Sequence, residues 1–231
     1  MKLKLFLFSF LFSSVLYAQI TVDNTAPYDN PNYLIDNVLL GGGIIASNHS
    51  YQGDSIQISY FDATNTSLGI NTGIVMATGD VAVLDPLFTG FGGVISNVVN
   101  DPDLLNVANS VPPLLPPPFT NSFTVSSIND VAILEFDFIP TSDSLSFQYV
   151  FGSEEYFAFE NSQYNDVFGF FLSGPGITGP FASPAFHPDG SVNLAIVPGS
   201  NPPLPITISS VNSVTPINDQ YFVDNTGGLD T

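Results

Sequence analysis

The densest group of polar side chains lies in residues 151–166, where acids stand among aromatic residues. Its carboxylates suit either cleavage of a glycosidic bond or coordination of Ca²⁺ through oxygen. Glu154 and Glu155 are neighbours, and neighbouring side chains point to opposite faces of a strand and do not face each other on a helix. They are therefore poorly placed to hold one sugar bond between them, and any catalytic partner would have to come from elsewhere in the chain.

Two other interpretations of this segment stay open: cation binding, and a structural loop whose carboxylates accept hydrogen bonds from backbone amides. For cation binding we predict Glu154, Glu155 and Asp166 as ligands. Asp supplies 17 of the 21 acids, and turn chemistry accounts for only part of them. Because no strict twelve-residue calcium loop is present, the prediction of a structural Ca²⁺ rests on composition.

Basic residues are almost absent, since the two of the whole chain are Lys2 and Lys4, against 21 acids. Removal of the N-terminal segment would change the formal charge from −19 to −21. A surface without cations cannot neutralise phosphates, so we expect no binding of nucleic acid or anionic membranes. The chain has no Cys and two histidines, His49 and His187. The absence of Cys excludes disulfides and thiolate catalysis. Two histidines leave few residues for a His-dependent catalytic triad or a multi-histidine zinc site.

Residues 1–18 have the layout of a secretory signal peptide: a basic start, an apolar run over residues 5–16, and Ala18 before Gln19. The run is shorter than the roughly 20 apolar residues that span a bilayer. We therefore predict a cleaved signal, a mature chain of residues 19–231 that forms one domain, and no membrane insertion of that chain. Without Cys, a lipid anchor is not expected either.

Short stretches of alternating apolar and polar residues dominate the remainder, with 19 Gly and 19 Pro in the chain to separate them. Residues 55–61, 131–139 and 145–151 have the period of two expected of a strand with one buried face. We predict an all-β protein, an antiparallel, jelly-roll-like β-sandwich with long loops. The predicted strands are residues 55–61, 73–77, 131–139, 145–151, 167–172, 194–197, 206–211 and 220–223.

Two short helices are predicted between these strands. Asn30 is a good helix cap with Pro31 at the first position and Gly41 as the stop. Asn100 or Asp101 is expected to cap the second helix. The proline-rich residues 111–119 favour an extended conformation, which we interpret as a stiff loop across one end of the sandwich.

Several blocks together resemble the choice-of-anchor L domain, over about residue 29 to the last residue. They include LLGGGII (39–45), GIVMATGD (73–80), NDVAILEFDF (129–138), FQYVFGSEEY (147–156) and YNDVFGFF (164–171). Members of that family are secreted or surface proteins of bacteria, commonly Bacteroidota, joined to varied C-terminal sorting or anchoring modules, and the resemblance implies the same location and context here. It also adds Asn165 to Glu154, Glu155 and Asp166 as predicted metal ligands. The chain departs from the pattern at Phe157-Ala158, where relatives often carry Pro and an acid.

The chain ends soon after a predicted strand, whereas the resemblance implies further strands, so we expect an incomplete C-terminal end. The leading interpretation is a non-catalytic, extracellular β-sandwich module of an adhesin-like surface protein, stabilised by Ca²⁺, that binds a glycan or protein partner. The alternative is a secreted carbohydrate-active enzyme that uses the carboxylates of residues 154–166.

Overall fold

The computed structural model describes residues 19–40, 44–85, 101–213 and 217–224. The predicted signal peptide, residues 1–18, lies outside the described residues. Gly41 and Asn100, predicted at the ends of helices, also lie outside them. Within the described residues no helix has the length and apolar character needed to cross a membrane.

The regular elements are short and are joined by long loops. In chain order they are β1 (Thr21–Asp23), α1 (Pro31–Leu34), β2 (Ile44–Gln52), β3 (Ile58–Asp62), β4 (Thr72–Met76), α2 (Pro102–Ser110), β5 (Ile133–Pro140), β6 (Phe171–Leu172) and β7 (Val192–Asn193). All strand pairs are antiparallel, in sheets ordered β1-β3-β4, β2-β5 and β6-β7. The all-β, antiparallel prediction with two short helices is confirmed, and the arrangement is sandwich-like.

The three-stranded sheet begins later in the chain than the alternation at residues 55–61 predicts. Ser55–Gln57 form a 3₁₀ turn, and only Ile58–Asp62 join the sheet. The Asp54 side chain accepts the N–H of Ile56, and the Gln57 side chain accepts the N–H of Asp54. This capping box draws the backbone into a turn, because it offers the N–H groups a local partner in place of a neighbouring strand.

The β2-β5 pair confirms the strand predicted at residues 131–139, whereas β2 was not predicted. The register shifts between Ser47 and Ser50, where Asn48 has φ of 53°. An extra residue at such a bulge is accommodated by a left-handed conformation, which Asn tolerates better than most residues. The Asn48 amide then donates to Asp137 Oδ2 across the pair at 2.7 Å.

Both predicted helices are present and begin where their caps predict. Asn30 Oδ1 accepts the N–H of Asn32 at 3.0 Å, and Asp101 Oδ1 accepts the N–H of Leu104 at 2.8 Å. The first helix continues as a π-helical turn over Ile35–Leu39. Its boundary residues Leu34 and Ile35 are fully buried, so burial of this apolar face stabilises the helix.

The largest core cluster lies under loops, and the proline-rich segment supplies part of it. Val111 and Leu115 pack with apolar side chains from residues 195–217. A smaller cluster beside it contains Ala108 of α2 and Val125, Ile128 and Val131. Phe123 packs against both clusters, so the two cores are continuous through its ring.

Residues 145–151 are not assigned to a strand, and no other segment of the described residues pairs with them, so the structure does not support the strand prediction there. Side chains rather than backbone pairing attach the segment to the core. The ring of Phe147 lies 4.6 Å from that of Phe170, and the ring of Tyr149 lies 5.3 Å from that of Phe168. Of the face that the alternation predicts to be buried, Phe147 and Phe151 are partly buried, whereas Leu145 and Tyr149 are exposed. The pattern is therefore only partly confirmed.

Candidate functional site

Residues 154–166, here called the acidic loop, form a series of turns that leads from the extended residues 145–151 to Val167. Three hydrogen bonds fix the loop from beneath. The Tyr156 hydroxyl donates to the carbonyl of Val211 at 3.0 Å, and the N–H of Asn161 donates to Ser209 Oγ at 2.9 Å. Asn165 is buried, and its Oδ1 accepts the N–H of Ser209 at 3.3 Å. The loop is thus held at its start, middle and end.

The floor under the acidic loop is a buried polar turn over residues 207–212. Thr207, Ser209, Ser210 and Asn212 are fully buried. Thr207 Oγ1 accepts the N–H groups of Ser209 and Ser210, and the Asn212 amide donates to two carbonyls of the same turn. Because these side chains bond nearby backbone groups, they compete with strand formation. The strand predicted at residues 206–211 is therefore reduced to one bridge between Thr207 and Val167.

Ser153 joins two carboxylate-bearing residues at the start and end of the acidic loop. Its hydroxyl donates to Asp166 Oδ2 at 2.5 Å and accepts the N–H of Glu155 at 2.9 Å. Burial raises the pKa of Glu155, and the negative charges of Asp166 and Glu154 raise it further. Burial also raises the pKa of Asp166, while the hydrogen bond from Ser153 acts in the opposite direction. These carboxylates therefore repel one another in a partly desolvated position.

The Glu160 carboxylate stabilises the backbone of the acidic loop at Phe157. Its Oε1 accepts the N–H of Phe157 at 2.6 Å. Phe157 has φ of 69°, a left-handed conformation that is rare for a bulky side chain. Such conformations persist only where neighbouring contacts hold them, and they occur often at binding sites. Here the Phe157 N–H donates to Glu160, which stabilises this backbone conformation, and 47 % of Phe157 is exposed.

Aromatic rings cover the outer side of the acidic loop. Phe157, Phe159 and Tyr164 are 47 %, 41 % and 57 % exposed. Phe159 and Tyr164 meet edge to face, with ring centroids 5.3 Å apart. Phe157 meets Phe222 at 5.8 Å, and Phe222 also contacts the anchored Tyr156 at 4.9 Å. We call Phe157, Phe159, Tyr164 and Phe222 the aromatic patch.

The structure places the four predicted metal ligands in different surroundings. Glu155 and Asp166 lie close enough for their charges to interact, and Glu154 is exposed beside them. Asn165 points elsewhere, because its amide donates to the carbonyl of Ala108 at 3.4 Å while its oxygen bonds Ser209. In the described part of the chain no three or more His, Cys, Asp or Glu side chains are grouped so that they could hold a metal ion. Calcium also binds amide and backbone oxygens, so the ligand set stays a prediction.

Sequence reasoning found the acids of this site but not the residues that position them. The sequence places Ser153 and Tyr156 in the block FQYVFGSEEY without indicating what they bond, and it predicts a strand at residues 206–211 instead of the turn. Phe222 follows a 3₁₀ turn at Asp219–Tyr221 rather than lying in the strand predicted at residues 220–223. The signal that could have revealed the floor is the Ser209-Ser210 pair followed by Asn212, since consecutive short polar residues favour local turns over strands.

Comparison with protein families found one that covers this site and nearly the whole chain. The model of the Choice-of-anchor L domain matches residues 21–230. The match includes the acidic loop, its floor and the aromatic patch, and it confirms the resemblance carried by the sequence blocks. Neither the curated proteins nor the solved structures yielded a match to the chain.

Proposed function

Because the chain belongs to the choice-of-anchor L domain family, we propose that it is a non-catalytic module of a bacterial surface or secreted protein that binds a glycan or protein partner. The binding site is the acidic loop with its aromatic patch. The observation that carries this proposal is that three aromatic side chains lie exposed on a loop that is anchored from beneath. Rings held in place lose little conformational entropy on binding and offer large apolar contact area.

The alternative, a carbohydrate-active enzyme, needs two carboxylates that face each other across a substrate. Two of the loop's carboxylates already accept hydrogen bonds from nearby residues, Asp166 from the Ser153 hydroxyl and Glu160 from the Phe157 N–H. The remaining pair, Glu154 and Glu155, are adjacent in sequence, with Glu154 exposed and Glu155 half-buried. These features favour binding over hydrolysis. Release of reducing sugar from a polysaccharide by the purified chain, abolished in Glu155→Gln, would support the enzyme instead.

Export is the first testable consequence of this proposal. We expect secreted or surface-displayed protein to begin at or near Gln19 and to lack Lys2 and Lys4. Mass spectrometry of the mature N-terminus measures this directly, and protease added to intact cells should degrade the displayed chain. A mature protein that retains residues 1–18, or that is cut only after lysis, would contradict the proposed location.

Calcium binding is a separate prediction with its own test. Extracellular calcium modules bind at about 10⁻⁴ to 10⁻³ M, and Ca²⁺ at ten times its dissociation constant stabilises a fold by about 1.4 kcal/mol. We expect millimolar Ca²⁺ to raise the Tm in high NaCl, where general screening is already complete. Glu155→Gln and Asp166→Asn should reduce that increment, whereas Asp143→Asn, at an exposed position outside the acidic loop, should not. Equal melting curves with Ca²⁺ and with chelator at fixed ionic strength would refute the site.

A further inference from the structure

We infer that the aromatic patch, together with the carboxylates at its edge, docks a segment of a partner protein that is rich in arginine. This inference rests on the proposed function of the chain as a binding module and names the partner class. It combines two observations: exposed rings lie on an anchored loop, and residues 19–231 contain no Lys or Arg to pair with its carboxylates.

The charge argument comes from the whole sequence. Residues 19–231 contain no Lys and no Arg, so no ring of the patch meets an internal ammonium or guanidinium group. The two histidines contact groups outside the acidic loop: His49 Nε2 lies 3.0 Å from Asp36 Oδ1, and the His187 ring lies 4.8 Å from that of Phe186. A cation–π contact or a Lys or Arg salt bridge at the patch therefore needs a cation from outside residues 19–231.

The carboxylates at the edge of the patch carry negative charge that no Lys or Arg of residues 19–231 neutralises, so this edge favours a cation. The N–H of Phe159 donates to the carbonyl of Glu155 at 3.1 Å, so Glu155 lies beside the patch. Ser153 hydrogen-bonds both Asp166 Oδ2 and the N–H of Glu155, and the exposed Glu154 adds a third negative charge. Glu160 Oε1 accepts the N–H of Phe157 at 2.6 Å, so a further carboxylate lies beside a ring of the patch. A guanidinium group placed there would relieve the repulsion among these carboxylates and gain charge-assisted hydrogen bonds.

The exposed rings favour arginine over other cations and over neutral ligands. A planar guanidinium stacks on aromatic faces and binds carboxylates through two parallel hydrogen bonds, which a compact ammonium cannot do. A neutral sugar would use the rings but not the charge. The acidic chain as a whole would also speed encounter with a cationic partner and repel an anionic one.

The probe for this inference is a twelve-residue synthetic peptide of alternating Arg and Ser, titrated into the mature chain in about 150 mM NaCl. We expect the double variant Phe159→Ala/Tyr164→Ala to weaken binding at least tenfold, and Glu154→Gln/Glu155→Gln to do the same. Phe186→Ala removes a ring that is 63 % exposed, and Asp143→Asn removes a charge, both outside the acidic loop. These two controls should change binding less than twofold. Replacing Arg by Lys should weaken it severalfold, and replacing Arg by Gln should abolish it.

Equal losses in the patch variants and the two controls would overturn the inference, because they would indicate attraction to net charge alone. All four altered residues of the patch variants are at least partly exposed, and cooperative melting at a Tm no lower than that of the parent chain would confirm that the variants fold. A neutral oligosaccharide that binds, and loses binding in Phe159→Ala/Tyr164→Ala, would keep the proposed function and refute the arginine-rich partner. Loss of peptide affinity in both patch variants, with both controls intact, would support the inference.

Discussion

Replacement of Gln57 by Glu is expected to lower the free energy of unfolding by about 3 kcal/mol or more. Gln57 is fully buried, and its Nε2 donates to the carbonyls of Thr78 and Asp130 at 3.1 and 2.9 Å. Its Oε1 accepts the N–H of Asp54 at 2.7 Å. The amide therefore joins the turn before β3 to the end of β4 and to the loop before β5. Glu has the same shape but would point a carboxylate oxygen at two carbonyl oxygens.

The matched control is Gln52→Glu, which adds the same charge at an exposed position on β2. Urea denaturation of both variants at pH 7 measures the difference. The effect of Gln57→Glu should become smaller below about pH 5, because a protonated carboxyl can donate to one of the two carbonyls. Equal stabilities of the two variants would show that the amide does not link these elements.

Features that depend on local chemistry were predicted from the sequence. Asn30-Pro31 and Asp101-Pro102 specify helix starts within three residues of the cap, and both helices begin there. The alternation at residues 131–139 also produces a strand, because the backbone of β5 pairs with β2 along its edge. In each case the local conformational preference of the residues favours the same structure as the contacts that they make in the folded chain.

Features that depend on distant partners were not predicted. Residues 145–151 have the pattern of a strand, yet among the described residues it is the rings of Phe168 and Phe170, rather than a paired strand, that attach them to the core. In the candidate site, composition located the carboxylates but not their roles. Consecutive residues Asn165 and Asp166 point in different directions, the first to Ser209 and the second to Ser153. A sequence pattern does not indicate which of these two neighbouring residues will hydrogen-bond Ser209, which lies 44 residues from Asn165 in the chain.

The same carboxylates make the stability of the fold depend on pH. Burial raises the pKa of Asp166, and burial with the charges of Asp166 and Glu154 raises that of Glu155. Burial also raises the pKa of Asp103, opposed by a hydrogen bond from the N–H of Ala182 and aided by the charge of Asp101. A carboxyl whose pKa is higher in the folded chain binds protons more strongly there than in the unfolded chain. Its contribution to stability is thus complete below its unfolded pKa and is lost as the pH rises through its folded pKa.

We therefore expect the Tm to rise as the pH falls from 7 to about 4.5, near the ordinary pKa of Glu. Further acidification should reverse the trend, because hydrogen bonds from Thr25 and Thr64 lower the pKa values of Asp23 and Asp62. Asp166→Asn should raise the Tm at pH 7 and flatten its dependence on pH. Asp143→Asn removes the same charge at an exposed position. Its effect on the Tm measures how much of the pH dependence comes from net charge alone. Calorimetry resolves the comparison, since 1 kcal/mol shifts the Tm of a domain this size by about 2–4 °C. Equal flattening in both variants would assign the pH dependence to net charge rather than to the acidic loop.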